Sequence, residues 1–132
     1  MKDIATYVRD TGMRTRIAKG HRCMSACAVI WSHGHNKRIH LESTVGFHVS
    51  STYGTGVQDL IDAYGYMGYQ AYVQRTFKDD ILYYLTLPVS DPNRLAYQVL
   101  KHGYQSDKFW IPNEKQLKEI IGAEILWVYQ IK

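Results

Sequence analysis

A chain of 132 residues with 45% hydrophobic content has the size of one ordinary domain and enough apolar side chain for one core, so a single domain over residues 1–132 is expected. The formal charge of +4 comes from Lys and Arg scattered among Asp and Glu, which argues for a solvated basic surface and against a nucleic-acid footprint. No stretch approaches the roughly 18 apolar residues of a membrane span, and the opening MKDIATYVRD lacks the apolar run of a signal peptide, so neither feature is expected in this chain.

Ile4, Tyr7 and Val8 stand at helical spacing and predict a short amphipathic helix over 2–11, stopped at Thr11-Gly12. Met13 to Ala18 alternates apolar and polar residues, the period of a half-buried strand. From Met24 to Ser32 the run MSACAVIWS is small and apolar on nearly all sides and predicts a buried helix, ended by the turn Gly34-His35-Asn36. Two short strands follow, Arg38 to Leu41 and Val45 to Val49, with His48 at the end of the second. SSTYGTG at 50–56 reads as a loop, and 57–86 as a helix weakened at Gly65 and Gly68. Leu87-Pro88 stops that helix, and Ser90-Asp91-Pro92 caps the next, which has Leu95, Val99 and Leu100 on its apolar face and ends near His102-Gly103. Asn113, with Gln116 three residues on, opens a last helix that ends at Gly122, and AEILWVYQI supplies a final strand. Eleven Tyr against three Phe and three Trp suggest amphipathic surfaces, some of them interfaces.

Six His and two Cys raise the question of a metal. Cys23-Met24-Ser25-Ala26-Cys27 lacks the C-x2-C spacing of zinc knuckles, and there is no second cysteine pair, so no metal ligand is assigned. His33, His35 and His40 are read as solvated turn residues. Cys23 and Cys27 are read as small buried hydrophobes rather than nucleophiles, with a mutual disulfide as the alternative in an oxidising compartment. The remaining chemistry is a serine nucleophile. Ser25 sits at a turn leading into the buried helix, where backbone N–H groups can stabilise an oxyanion, and an imidazole from a downstream strand end, His48, can take its proton. The same residues also fit an ordinary N-cap and a packed histidine.

GHRCMSACAVIW from Gly20, followed by VGFH from Val45, resembles the active-site pair of Clp-protease-like, crotonase-fold proteins, above all an uncharacterised branch with C-x-S-A-C and G-F-H that is often periplasmic. In the Clp protease proteolytic subunit the nucleophilic serine opens a buried helix and a strand after it ends in the catalytic histidine, positions that Ser25 and His48 match, 23 residues apart. The resemblance spans roughly residues 2–125 and implies an α/β fold of the Clp-protease/crotonase (ββα) type, entered partway through: the family places strand and helix units, and a glycine-rich turn giving half of the oxyanion hole, before the equivalent of residue 2. It implies Asp107, in YQSDKFW, as the acid that orients His48, with Asp59, Asp62, Asp79, Asp80 and Asp91 as rivals, and the Ala26 N–H as the remaining oxyanion donor. The expected activity is hydrolysis of a peptide or other acyl bond, without metal or organic cofactor, in a homo-oligomer. The alternative is a catalytically inactive Clp-like pseudoenzyme or assembly module that uses its Tyr-rich helices for contacts.

Overall fold

The computed structural model describes residues 2–49, 57–103 and 108–127. The expected loop at 50–56, Asp107 and the end of the tail lie outside the described residues. The chain is a mixed α/β protein with two small parallel sheets. Helix α1 spans Lys2–Asp10, strand β1 Thr15–Ile17, β2 Arg22–Met24, helix α2 Ala26–Ser32, β3 Lys37–His40 and β4 Thr44–Gly46. Helices α3 (Val57–Leu85), α4 (Pro92–His102) and α5 (Glu114–Gln116) follow, then a π-helical turn over Leu117–Ile121 and strand β5 (Glu124–Leu126).

One sheet has the order β1-β3-β5 and the other pairs β2 with β4. Parallel pairing needs a crossover, and α2 supplies it for both: it lies between β1 and β3, and between β2 and β4. The register sets Ile17 against Ile39 and Ile39 against Ile125 in the first sheet, and Cys23 against Val45 in the second, so buried residues stack across the strands.

The core runs from these strands to the later helices. Ile39, Val45, Phe47 and Val49 pack with Leu95, Val99 and Ile120, and Trp31, Tyr84 and Trp110 close the cluster. Trp31 satisfies its indole N–H on the Arg38 carbonyl at 2.9 Å, which lets a large ring be buried without an orphaned donor. Buried Lys37 donates to the Pro88 carbonyl at 2.8 Å, tying β3 to the turn after α3, and its burial lowers the ammonium pKa.

Several boundaries differ from the sequence expectation. The helix expected from Met24 begins at Ala26, because Met24 is the last residue of strand β2, whose residues Arg22-Cys23-Met24 alternate exposed, buried and half-buried positions along β4. In α1 the buried face is Ala5 and Val8, whereas Ile4 and Tyr7 are exposed. His33 and His40, expected in solvent, are 5% and 2% exposed. His33 Nδ1 donates to the Val29 carbonyl at 2.8 Å, and His40 Nδ1 accepts the Glu42 N–H at 3.3 Å. His35 alone of the three is exposed. Two helix starts match their reading: Asp91 accepts the Arg94 N–H, and Asn113 and Gln116 form a reciprocal capping box. Helix α3 is broken at Gly65, whose φ of 72° and ψ of 168° are open to glycine and costly for other residues. Among the described residues no helix is long and apolar enough to cross a membrane.

Leu95 is fully buried on α4 and Tyr97, on the same helix, is 58% exposed. Leu95→Ala is expected to cost about 2–5 kcal/mol and Tyr97→Ala under about 0.5 kcal/mol, read as midpoint shifts in urea unfolding followed by circular dichroism.

Candidate functional site

The site begins with the end of β2. Pairing of Met24 with Gly46 carries the ladder one step further, so that the Ser25 N–H donates to the Gly46 carbonyl at 3.0 Å. The chain then turns sharply into α2, and the Ser25 carbonyl accepts the Val29 N–H at 3.2 Å as the first link of that helix. To join strand and helix without intervening residues, Ser25 takes φ 58° and ψ −118° and is the only non-glycine with positive φ among the described residues. Such a conformation costs on the order of 1–3 kcal/mol and persists where its surroundings over-determine it. Ser25 makes no side-chain cap to its own helix. Its hydroxyl instead lies 2.7 Å from His48 Nε2, so the N-cap reading of the sequence does not hold.

His48 lies two residues past β4, in a segment held from three sides. Phe47 exchanges both backbone hydrogen bonds with Trp110, at 3.0 and 2.8 Å, in an isolated antiparallel bridge. The Val49 N–H donates to the Gly103 carbonyl at 2.8 Å, at the end of α4. The Tyr84 hydroxyl, from the end of α3, donates to the carbonyl of His48 itself at 2.6 Å. Gly103 makes the second contact close: a Cβ there would lie 2.6 Å from the Phe47 carbonyl oxygen and 2.9 Å from the His48 Cα. The imidazole stacks on Phe109 with ring centroids 4.4 Å apart and planes at 25°. Backbone, carbonyl and ring are therefore each fixed by a different element.

With the Ser25 hydroxyl donating to Nε2, the proton of a neutral imidazole resides on Nδ1. That Nδ1 is buried and has no hydrogen-bond partner among the described residues. Asp107, the residue that the sequence nominates to accept from it, lies outside the described residues. Ala26 is exposed as the first residue of α2, with its N–H beside the serine at the helix start. Of the rival acids, Asp91 caps α4, Asp62 accepts from Gln58, and Asp79 is solvent-exposed.

Cys23 and Cys27, read as small buried hydrophobes, are joined in a disulfide with their Cα atoms 5.1 Å apart. Cys23 is buried in β2, but Cys27 is exposed, because the first turn of α2 faces outward. The bond spans the Ser25 turn. Tyr84, Phe109, Trp110 and Gly103 were not nominated by the sequence: their roles come from tertiary contacts, and only the adjacent Tyr83-Tyr84 and Phe109-Trp110 pairs hint at aromatic packing.

Burial first, and then the nearby Asp80 charge, push the Tyr84 phenol well above its ordinary range, while its bond to the His48 carbonyl opposes the shift. A phenol pKa raised in the folded state adds stability that is present below about pH 10 and is lost as pH rises through the ordinary phenol range and beyond it. Tyr84→Phe is therefore expected to cost about 1–3 kcal/mol at pH 7, by leaving the His48 carbonyl unpaired, and to flatten the alkaline loss of stability in urea midpoints between pH 8 and 11. No protein-family model, no curated protein and no solved structure matches this chain.

Proposed function

We propose that this chain is a serine hydrolase of the Clp-protease-like, crotonase-fold type, acting on a peptide or another acyl bond. The observation that carries the reading is the 2.7 Å contact between Ser25 Oγ and His48 Nε2, made by a serine held at positive φ on a strand-to-helix turn. A serine hydroxyl is a poor nucleophile at neutral pH unless a base takes its proton as it attacks, and an imidazole nitrogen at hydrogen-bond distance is such a base. The same Ser25 and His48 segments carry the family resemblance.

In this mechanism Ser25 Oγ attacks the carbonyl carbon while its proton passes to His48 Nε2. The oxyanion that develops receives the Ala26 N–H. His48 returns the proton to the leaving group, and an acyl-Ser25 intermediate remains. Water, deprotonated by His48, then releases the acid and restores the hydroxyl. The Asp107 carboxylate is assigned to the buried Nδ1–H of His48, where it holds the tautomer and stabilises the imidazolium. Oligomerisation belongs to the same proposal, with Tyr64, Tyr66 and Met67 on α3, which are 65%, 62% and 82% exposed, as its contact surface. This exposed row also supports the second reading, an assembly module that keeps the fold without turnover.

A fluorophosphonate probe separates the two readings, because it reports an activated serine without a known substrate. The wild-type chain is expected to label once, at Ser25. Ser25→Ala abolishes labelling, His48→Ala lowers its rate at least about a hundredfold, and Asp107→Asn lowers it less than His48→Ala, each with an unchanged circular dichroism spectrum. A folded wild-type protein that does not label supports the assembly module.

A further inference from the structure

The disulfide closes around the serine. Cys23 is the middle residue of β2, Cys27 lies in the first turn of α2, and Ser25 stands midway between them. On the other side of the turn, Met24 pairs with Gly46 and the Ser25 N–H bonds to the Gly46 carbonyl, which leads directly to the His48 segment. The positive φ of Ser25 is thus held from both sides: by the β4 ladder through hydrogen bonds, and by the Cys23–Cys27 bond through covalent closure. The bond is also within reach of a reagent. Both cysteines line an open groove of about 690 Å³, together with Ile17, Arg22, Ile30 and Trp31.

We propose that Cys23–Cys27 is a thiol–disulfide exchange site that sets the geometry of the Ser25–His48 pair, so that the hydrolase is competent when the bond is closed and loses competence when a dithiol opens it. The proposal rests on the Ser25–His48 reading and adds its regulation. A thiolate of the dithiol attacks the sulfur of exposed Cys27, a mixed disulfide forms there, and Cys23 leaves as a thiolate that takes up a proton. The second thiol of the reductant then attacks its own sulfur in the mixed disulfide and releases Cys27. In sum one disulfide is reduced by two electrons and two protons, and the dithiol is oxidised to its cyclic disulfide. Opening removes the covalent restraint on the turn, and Ser25 relaxes toward negative φ, which carries its hydroxyl away from Nε2.

The full chain is treated with dithiothreitol, both free thiols are verified on an aliquot by mass after alkylation, and two readings are taken. One is the rate of fluorophosphonate labelling. The other is the ¹⁵N chemical shift of the His48 imidazole, which senses the Ser25 hydrogen bond whether or not the enzyme turns over. Reduction is expected to slow labelling at least about tenfold and to move the His48 Nε2 resonance, and reoxidation is expected to restore both. Equal labelling and unmoved resonances in the reduced protein overturn the exchange site while leaving the hydrolase reading standing. A His48 resonance that moves in a protein that never labels supports the clamp and removes the hydrolase reading. Loss of helical circular dichroism on reduction also overturns the proposal, since the bond would then hold the fold rather than the turn.

Discussion

The pairing of β2 with β4 is the constraint on which the site depends. Its register places Met24 opposite Gly46, and the next hydrogen bond, from the Ser25 N–H to the Gly46 carbonyl, fixes the serine beside the end of β4, two residues before His48. A slip of one residue would turn Cys23 outward and Met24 into the core, reversing the burial along the strand. Burial of Cys23 and Val45 therefore selects the register, and the register selects which side chain meets the imidazole. The geometry of the Ser25–His48 contact follows from a packing choice made by its apolar neighbours.

The two halves of the site are built differently. Ser25 is held locally, by a ladder bond, the first turn of α2 and a disulfide that spans four positions. His48 is held at long range, since Tyr84, Gly103, Phe109 and Trp110 come from chain segments tens of residues away. The strain at Ser25, on the order of 1–3 kcal/mol, is a large share of a marginal stability of about 5–15 kcal/mol, so it needs support from more than one contact. The segment after β4 supplies that support only when α3, α4 and the residues around Trp110 are in place. Formation of the Ser25–His48 contact is thus coupled to completion of the core rather than to either strand alone.

This division explains what could be read from the sequence. The helix from Pro92 and the start at Asn113 were legible because caps are local: Asp91 and Asn113 act on N–H groups three residues away. The serine and histidine were legible as residue types in a strand-and-helix context. Strand β2 was not, because its three residues run directly into the apolar helix and the composition shows no break between Met24 and Ala26. The burial of His33 and His40 was hidden for another reason. The neighbouring Gly34-His35-Asn36 reads as a polar turn, and only the structure shows that His33 bonds to the Val29 carbonyl and that His40 Nδ1 accepts the Glu42 N–H, while His40 Nε2 is buried without a partner among the described residues. The surroundings of His48 depend on contacts between distant segments, which no local pattern encodes.

The two buried histidines that do not belong to the site make the contrast with His48 informative. His33 spends its Nδ1–H on a carbonyl of its own helix, and His40 accepts from a backbone N–H two residues on, so both serve to satisfy nearby main chain. His48 makes no such local bond. Its carbonyl accepts from the Tyr84 hydroxyl, and its neighbours Phe47 and Val49 are bonded to Trp110 and Gly103, so the segment is held without a bond from the ring to the main chain. One face of the imidazole rests on Phe109, and Nε2 is directed at a single hydroxyl. A histidine relieved of main-chain bonding, oriented by an aromatic ring and aimed at a serine in a strained turn is an arrangement that packing alone does not require. That difference, visible within one chain, is the strongest physical reason to read Ser25 and His48 as chemistry rather than as core.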